Sequence, residues 1–329
     1  MRKMASIRKI DAIRPIDGAD AIECAVVGGW TVVVKKGEFA VGDLAIYCEI
    51  DSWIPTELAP FLSKGKEPRE YEGVKGERLR TVKLRGQLSQ GLLLPCTDGI
   101  EGDDVSELLN IRKWEMQVPT QLAGQVKGNF PSLIPKTDQE RVQNLVKEIA
   151  VAVERGAEFE VTEKLEGSSM TCYVMNGGGE FGVCSRNLDL KRDENNTFWV
   201  VAIRDDIEEK MREFGEDFAL QGELIGPGIQ GNIYKLSKPE FYVFDVYNIT
   251  AGKYLNPAER RALIDKMGLN HVPVLNTEYV LKHTVEDLLA CAEGKSILAN
   301  TEREGIVFKE VNGGMTFKAI SNKYLLGER

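Results

Sequence analysis

Through residue 112, apolar and polar side chains alternate in short runs broken by glycines. The stretch IECAVVGGWTVVVKKGEFAVGDLAIYCEID (22–51) reads as a strand, a Gly-Gly turn, a second strand, and a third that begins after Gly42-Asp43. RLRTVKLRGQLSQGLLLP (78–95) adds two more, joined through a glycine. Short strands with no long helical period predict a small β-barrel of the OB-fold type over residues 1–120. The pattern changes at 113–138, where Pro119, Gly124, Gly128, Pro131 and Pro135 predict a connector. TDQERVQNLVKEIAVAVERG (137–156) then predicts a helix. Thr137 or Asp138 would cap it, Val142, Leu145, Val146, Ile149 and Val153 would form its apolar stripe, and Gly156 would close it. Beyond it, period-two runs predict strands at 159–165, 169–176, 181–185, 218–224, 241–248, 305–310 and 315–320. Helical periods fall near 197–214, 256–268 and 284–293. The expected architecture is α+β: a small barrel followed by an antiparallel-sheet domain over 121–329.

Composition narrows the function classes. With 43% apolar and 28% charged residues, a chain of 329 is expected to fold as two domains, each with a core. No apolar run approaches the roughly 18–20 residues that span a bilayer. MRKMASIRKIDAIRPI lacks the apolar core of a secretory signal, so the expected location is the cytoplasm, away from membranes. Cysteines 24, 48, 96, 172, 184 and 291 show no CxxC spacing, and the two histidines are His271 and His283. Zinc clusters are therefore excluded, and buried free thiols are expected. Catalysis would have to run on lysine, carboxylates or a hard cation. Net charge is −9, yet residues 64–85 hold eight Lys or Arg against four Glu. This is either a solvated loop or a local nucleic-acid grip.

The candidate chemistry centres on EKLEGSSM (163–170), where a lysine, a glutamate and a glycine stand between two predicted strands. A lysine attacks only as the neutral amine, which costs roughly 4 kcal/mol at neutral pH unless burial, a cation or a metal lowers its pKa. Gly167 would let backbone approach a ligand, and Ser168 and Ser169 add small polar groups.

KLEG (164–167) resembles motif I, Kx[DE]G, of the covalent nucleotidyltransferases, which are the polynucleotide ligases and mRNA capping enzymes. Similar motifs follow in the family's order. SRN (185–187) carries Arg186, QGELIGPGIQGN (221–232) carries Glu223, and FYVFDVYN (241–248) carries Phe244 and Asp245. REGIVFKE (303–310) carries Glu304, and MTFKAISNKY (315–324) carries Lys318. The finer resemblance is to ATP-dependent RNA ligases of the second T4-phage type, in the Deinococcus and Naegleria branch with an N-terminal OB domain. RTVKLRGQLSQGLLLP (80–95) and FPSLIPKTDQERVQN (130–144) carry that likeness, and eleven residues after Lys318 leave no room for a C-terminal OB domain.

The resemblance implies an RNA ligase that uses ATP and Mg2+ or Mn2+. Lys164 would take AMP from ATP, pass it to a 5′-phosphate, and let a 3′-hydroxyl displace it. It implies Lys318 as the α-phosphate clamp and as the cation that depresses the Lys164 pKa. Glu166 would orient Lys164 or bind ribose or metal, and Glu223 and Glu304 would hold metal. Glu163, Ser169, Arg186, Glu223 and Phe244 would contact the nucleotide, with Phe244 stacking on adenine. Arg141 and Asn144 are further candidate contacts. Arg78, Arg80, Lys83 and Arg85 would grip nucleic acid, in one row only if a bulge or turn intervenes near Thr81. The implied partner is an RNA 3′-OH end in a nicked duplex, bound by a monomer. Two departures stand out: a second motif V lysine is missing unless Lys323 replaces it, and Ser169 stands where asparagine is frequent. The alternatives are an inactive nucleic-acid-binding repair factor and a DNA ligase with the same adenylation chemistry.

Overall fold

The alternation of the first 112 residues becomes short, mostly antiparallel strands. In the computed structural model, which describes residues 2–115, 125–282 and 284–328, Leu44–Cys48 lies between Ala5–Lys9 and Leu92–Pro95 in a three-stranded sheet. Ile22–Val27 and Trp30–Lys35 form the expected hairpin about Gly28-Gly29. A Cβ on Gly29 would lie 2.7 Å from the Gln143 Cα, so close backbone packing requires glycine there. Inward-facing Ile10, Val27, Trp30, Val32, Tyr47 and Leu93 fill the core. The basic run is no bare loop. Arg69–Tyr71 pairs with Val74–Arg78, and Val82–Leu84 pairs with Gln87–Ser89 around Arg85 and Gly86, both at positive φ.

Two compact units result. The first is Met1–Gln117 with Val142–Lys147 and Leu325–Glu328. The expected boundary at 120 and 121, with Pro119 and Gly124, lies outside the described residues. Asn144 ties its segment into the first unit. Its Oδ1 accepts from Trp30 Nε1 at 2.7 Å and Arg8 Nη2 at 3.2 Å, and its Nδ2 donates to buried Glu49 at 3.0 Å. The helix expected from 137 consequently begins only at Val146 and runs to Glu154. Upstream, Glu140–Arg141 pairs in parallel with Phe317–Lys318, and Val142 and Gln143 are buried in a 3-10 turn. Strand pairing has won over the 3.6-residue period.

The second unit spans Val118–Arg141 and Glu148–Tyr324, and it carries an eight-stranded and a five-stranded sheet. Met170, Leu220, Phe241 and Val243 of the larger sheet pack against Trp199, Ile207, Met211 and Ile264 of its helices. The helix expected over 197–214 divides into Thr197–Arg204 and Ile207–Arg212, because Asp206 between them adopts a left-handed φ of 52°. Pro257–Lys266 and Val285–Ala292 each open with a capping box, Asn256 with Glu259 and Thr284 with Asp287. Among the described residues, no helix is long and apolar enough to cross a membrane.

The smaller sheet runs Glu140–Arg141, Thr316–Ile320, Gly305–Glu310, Glu158–Lys164, Val274–Val280. Side chains of register partners share a face. Phe159, Phe308 and Phe317 therefore cluster on one side, the last two stacked at 4.6 Å. Glu160, Thr162, Lys164, Lys309 and Lys318 line the other.

The far end of that polar face is sealed by a buried ion network. Fully buried Glu160 accepts from Arg260 Nη2 and Arg261 Nη1. Lys309 Nζ reaches Asp245 Oδ1 and the Phe244 carbonyl, each at 2.6 Å. Arg260 Nε donates to His271 Nε2 at 3.0 Å, so the imidazole carries its proton on Nδ1, facing the Val272 carbonyl. Asp245 and His271 belong to the eight-stranded sheet and Glu160 and Lys309 to the five-stranded one, so the network bolts the two together.

Burial, and then the Arg260 charge, push the His271 pKa from 6.5 down to about 4. A neutral histidine in the fold that protonates more readily when unfolded contributes stability above pH 6.5, and that contribution is lost as pH falls through about 4. Denaturant titrations from pH 7 to 4 should show the wild type losing on the order of 2–3 kcal/mol more than His271→Gln. Parallel losses would contradict this.

Candidate active site

Lys164 ends its strand in the five-stranded sheet, and Ser168 opens the strand Ser168–Met175 in the eight-stranded one. Leu165-Glu166-Gly167 is therefore the crossing between the sheets. That accounts for the glycine, because a Cβ on Gly167 would lie 2.3 Å from the Leu224 carbonyl oxygen. The crossing is held at its middle amide: Glu166 N–H donates to the Tyr234 hydroxyl at 2.7 Å.

Register assembles the charges. Lys164 pairs with Gly305, so its Nζ meets the preceding Glu304 and donates to Oε1 at 2.6 Å. Glu223 lies directly opposite Ser169 on the neighbouring strand and feels Lys164, Glu304 and Arg186. Burial, reinforced by Glu304 against the opposing cations, pushes Glu223 up to about 7. Burial alone would lower the Lys164 pKa, but Glu304 and Glu223 outweigh it and hold the amine above its ordinary value. Arg141 is a cation that opposes this, and the net shift is upward. Lys318 reaches Asp138 Oδ1 at 3.1 Å, while Arg186 Nη2 lies 3.8 Å from Asp138 Oδ2.

By register the Glu163 side chain is on the face opposite Lys164. Glu163 is 1% exposed; its Oε2 accepts from Ile297 N–H at 2.9 Å, while its buried Oε1 has no hydrogen-bond partner among the described residues. Ser169 Oγ is 3.5 Å from Thr137 Oγ1. Phe244 falls in a bulge, because the pairing steps from Gln221–Asp245 to Gly222–Val243 and leaves it unopposed. Lys309 Nζ lies 5.4 Å from its ring centroid. Asn144 is bonded within the first unit, to Trp30, Arg8 and Glu49. Lys323 lies exposed on the helix Asn322–Leu326, where its charge acts on Glu302.

The basic residues of the first unit do not form one row. Arg78 bonds Asp51 at 2.5 Å and lies 3.9 Å over the Trp114 ring, so its guanidinium is committed within the protein. Arg80 follows the end of its strand and Arg85 occupies a hairpin turn, both exposed. Lys83, on the hairpin strand, pairs with Glu328 at 3.0 Å.

Glu223 and Glu304 supply hard oxygen donors. Among the described residues no group of three metal-type side chains gathers. The pair fits a cation such as Mg2+, which is commonly held by one or two carboxylates together with substrate phosphate oxygens.

A family model described as RNA ligase matches residues 157–324, and one described as an OB-fold domain matches 4–96. No curated protein matches the chain. Among solved structures, Naegleria gruberi RNA ligase with PPi is 48% identical, covering 99% of this chain and 98% of that one at a TM-score of 0.92. Variants of the same enzyme with AMP and Mn, and with ATP and Mn, are 47% identical over 98% of both chains, at TM-scores of 0.92 and 0.91. The chain belongs to the RNA ligase family.

Three residues of this RNA ligase site carried little or no signal in the sequence. Arg141 was visible only as a cation ahead of motif I, and Asp138 resembled a helix cap. Tyr234 lies beyond the glycine-rich string and is an ordinary aromatic until the crossing is seen above it. Gly167→Ala must displace that crossing or the Leu224 strand. It is expected to slow RNA ligation by about tenfold or more at unchanged global fold; a rate within about twofold of wild type would contradict the tight crossing.

Proposed function

We propose that this RNA ligase seals 3′-hydroxyl/5′-phosphate breaks with ATP and Mg2+ or Mn2+, through an AMP carried on Lys164. The observation that carries the reading is the Lys164 amine, 2.6 Å from Glu304 Oε1 with Glu223 and Arg141 in its field. Relatives solved with ATP and Mn, AMP and Mn, and PPi support it. Lys164 Nζ attacks the α-phosphorus. The N–P bond forms, the bond to the bridging oxygen breaks, and pyrophosphate leaves with that electron pair. The amine gives up its proton to solvent before it attacks. AMP then passes to the RNA 5′-phosphate, and the 3′-hydroxyl displaces it.

Arg141, Arg186 and Lys318 stabilise charge on the phosphoryl oxygens, the last two exchanging Asp138 for phosphate. Glu223 and Glu304 would hold the divalent cation, which would supply charge neutralisation at the phosphates. Glu166 binds ribose or orients the lysine, Ser169 adds a polar contact, and Phe244 stacks on the base. Glu163 Oε1 accepts from the adenine amino group. Guanine presents a carbonyl oxygen at that position, and a carboxylate repels it.

The substrate is a nicked duplex with an RNA 3′-OH, bound by a monomer in the cytoplasm, a setting consistent with six free thiols. In this reading residues 1–120 are the nucleic-acid module, gripping through Arg80, Lys83 and Arg85, and 121–329 carry the chemistry.

Protein incubated with α-labelled ATP and Mg2+ should acquire label that survives alkali and is lost in acid. Neither Lys164→Ala with ATP nor wild type with GTP should acquire it. Sealing by the wild type should favour a ribose over a deoxyribose 3′ end. An unlabelled wild type, or a labelled Lys164→Ala, contradicts the assignment. Joint alanine substitution of Arg80, Lys83 and Arg85 should weaken RNA binding and flatten its salt dependence while leaving Lys164 labelling unchanged. An unaltered salt slope removes the grip from the reading.

A further inference from the structure

The crossing Leu165-Glu166-Gly167 connects the end of the nucleophile's strand to the next sheet, so its backbone path fixes where the Lys164 amine points. Its hydrogen-bond anchor is Tyr234, which takes no part in the chemistry proposed above.

Tyr234 is built to be rigid. It is 4% exposed, with its ring in an apolar cluster containing Leu165, Ile225 and Val272. The loop that carries it braces itself. Ile229 N–H donates to the Gly226 carbonyl at 3.0 Å, and Lys235 N–H to the Asn232 carbonyl at 2.9 Å. The Asn232 side chain holds both Leu236 N–H at 3.2 Å and the Leu236 carbonyl at 3.1 Å. Gln230, Asn232 and Lys235 all adopt left-handed backbone, a conformation non-glycine residues keep only where surroundings enforce it. Strain and bracing both serve to fix one side chain, and that side chain ends 2.7 Å from the Glu166 amide.

We propose that Tyr234 is a positioning residue for lysine adenylation: its hydroxyl accepts the Glu166 N–H, fixes the crossing, and holds the Lys164 amine on its line of attack. The inference rests on Lys164 being the nucleophile. Burial, together with the Glu304, Glu163 and Glu166 charges, keeps the phenol well above its ordinary pKa, so the oxygen stays a neutral acceptor across the working pH range. A lost anchor lets the amine wander, and small misplacements of a nucleophile are costly in rate. The third step, in which RNA oxygen attacks the adenylated end, uses no amine and does not depend on the anchor in this way.

The test uses Tyr234→Phe, which keeps the ring in its cluster and removes one oxygen. Three quantities are compared with wild type: the single-turnover rate of Lys164 adenylation at saturating ATP, the ATP concentration at half-maximal rate, and sealing of pre-adenylated RNA. The expected result is an adenylation rate lowered about tenfold, with the ATP dependence and pre-adenylated sealing each within about twofold. Adenylation within twofold of wild type overturns the proposal, and so does an equal fall in both steps, accompanied or not by a lower melting temperature. Failure of the wild type to form any adduct at Lys164 would instead sink the underlying reading of the nucleophile.

Discussion

The site depends on one register: Lys164 opposite Gly305 in an antiparallel pair. That pairing brings Glu304 onto the amine at 2.6 Å and lets Glu223, from the other sheet, share its field. A one-residue slip would send every side chain of the strand to the opposite face, exchanging Lys164 for Glu163 and the polar row for the aromatic one. The register is protected because the opposite face is the Phe159, Phe308 and Phe317 cluster, which cannot be turned toward charge without losing its burial. Hydrophobic packing on one face thus fixes the chemistry on the other.

The resting arrangement opposes reaction, which gives it a purpose. Two carboxylates hold Lys164 as an ammonium, and Asp138 lies within 4 Å of both Lys318 and Arg186, at 3.1 and 3.8 Å. Nucleotide and divalent cation would relieve both conditions, by occupying the carboxylates and replacing Asp138 as the anion. Catalytic competence then comes from redistributing existing charges, while Glu160, Arg260, Asp245 and Lys309 keep the two sheets in place behind them. Replacing one member of such a buried network is costly because its partner is left charged without compensation.

Much of this was legible in the sequence. The strands expected at 159–165, 169–176, 218–224, 241–248, 305–310 and 315–320 appear within one residue, at 158–164, 168–175, 218–225, 240–248, 305–310 and 316–320. Lys164, Glu223 and Glu304 stood in strings whose order already implied adenylation chemistry. The failures share a cause. The 137–156 stripe is helical in period, but its first half is claimed by a strand partner some 180 residues away and by Asn144 contacts in the first unit. The Asp51 and Trp114 partners of Arg78 were likewise unannounced by local pattern. Tyr234 and the partners of Glu160 were invisible for the same reason: long-range pairing leaves no mark on local pattern.

The most direct test is the ionisation of Lys164 itself, followed by NMR of labelled lysine in ligand-free protein. The account predicts an amine still protonated above the ordinary midpoint of 10.5, with Glu304→Gln moving the midpoint down. A Lys164 that titrates at or below 10.5 in the wild type, and is indifferent to Glu304, would contradict the pairing on which everything else is built.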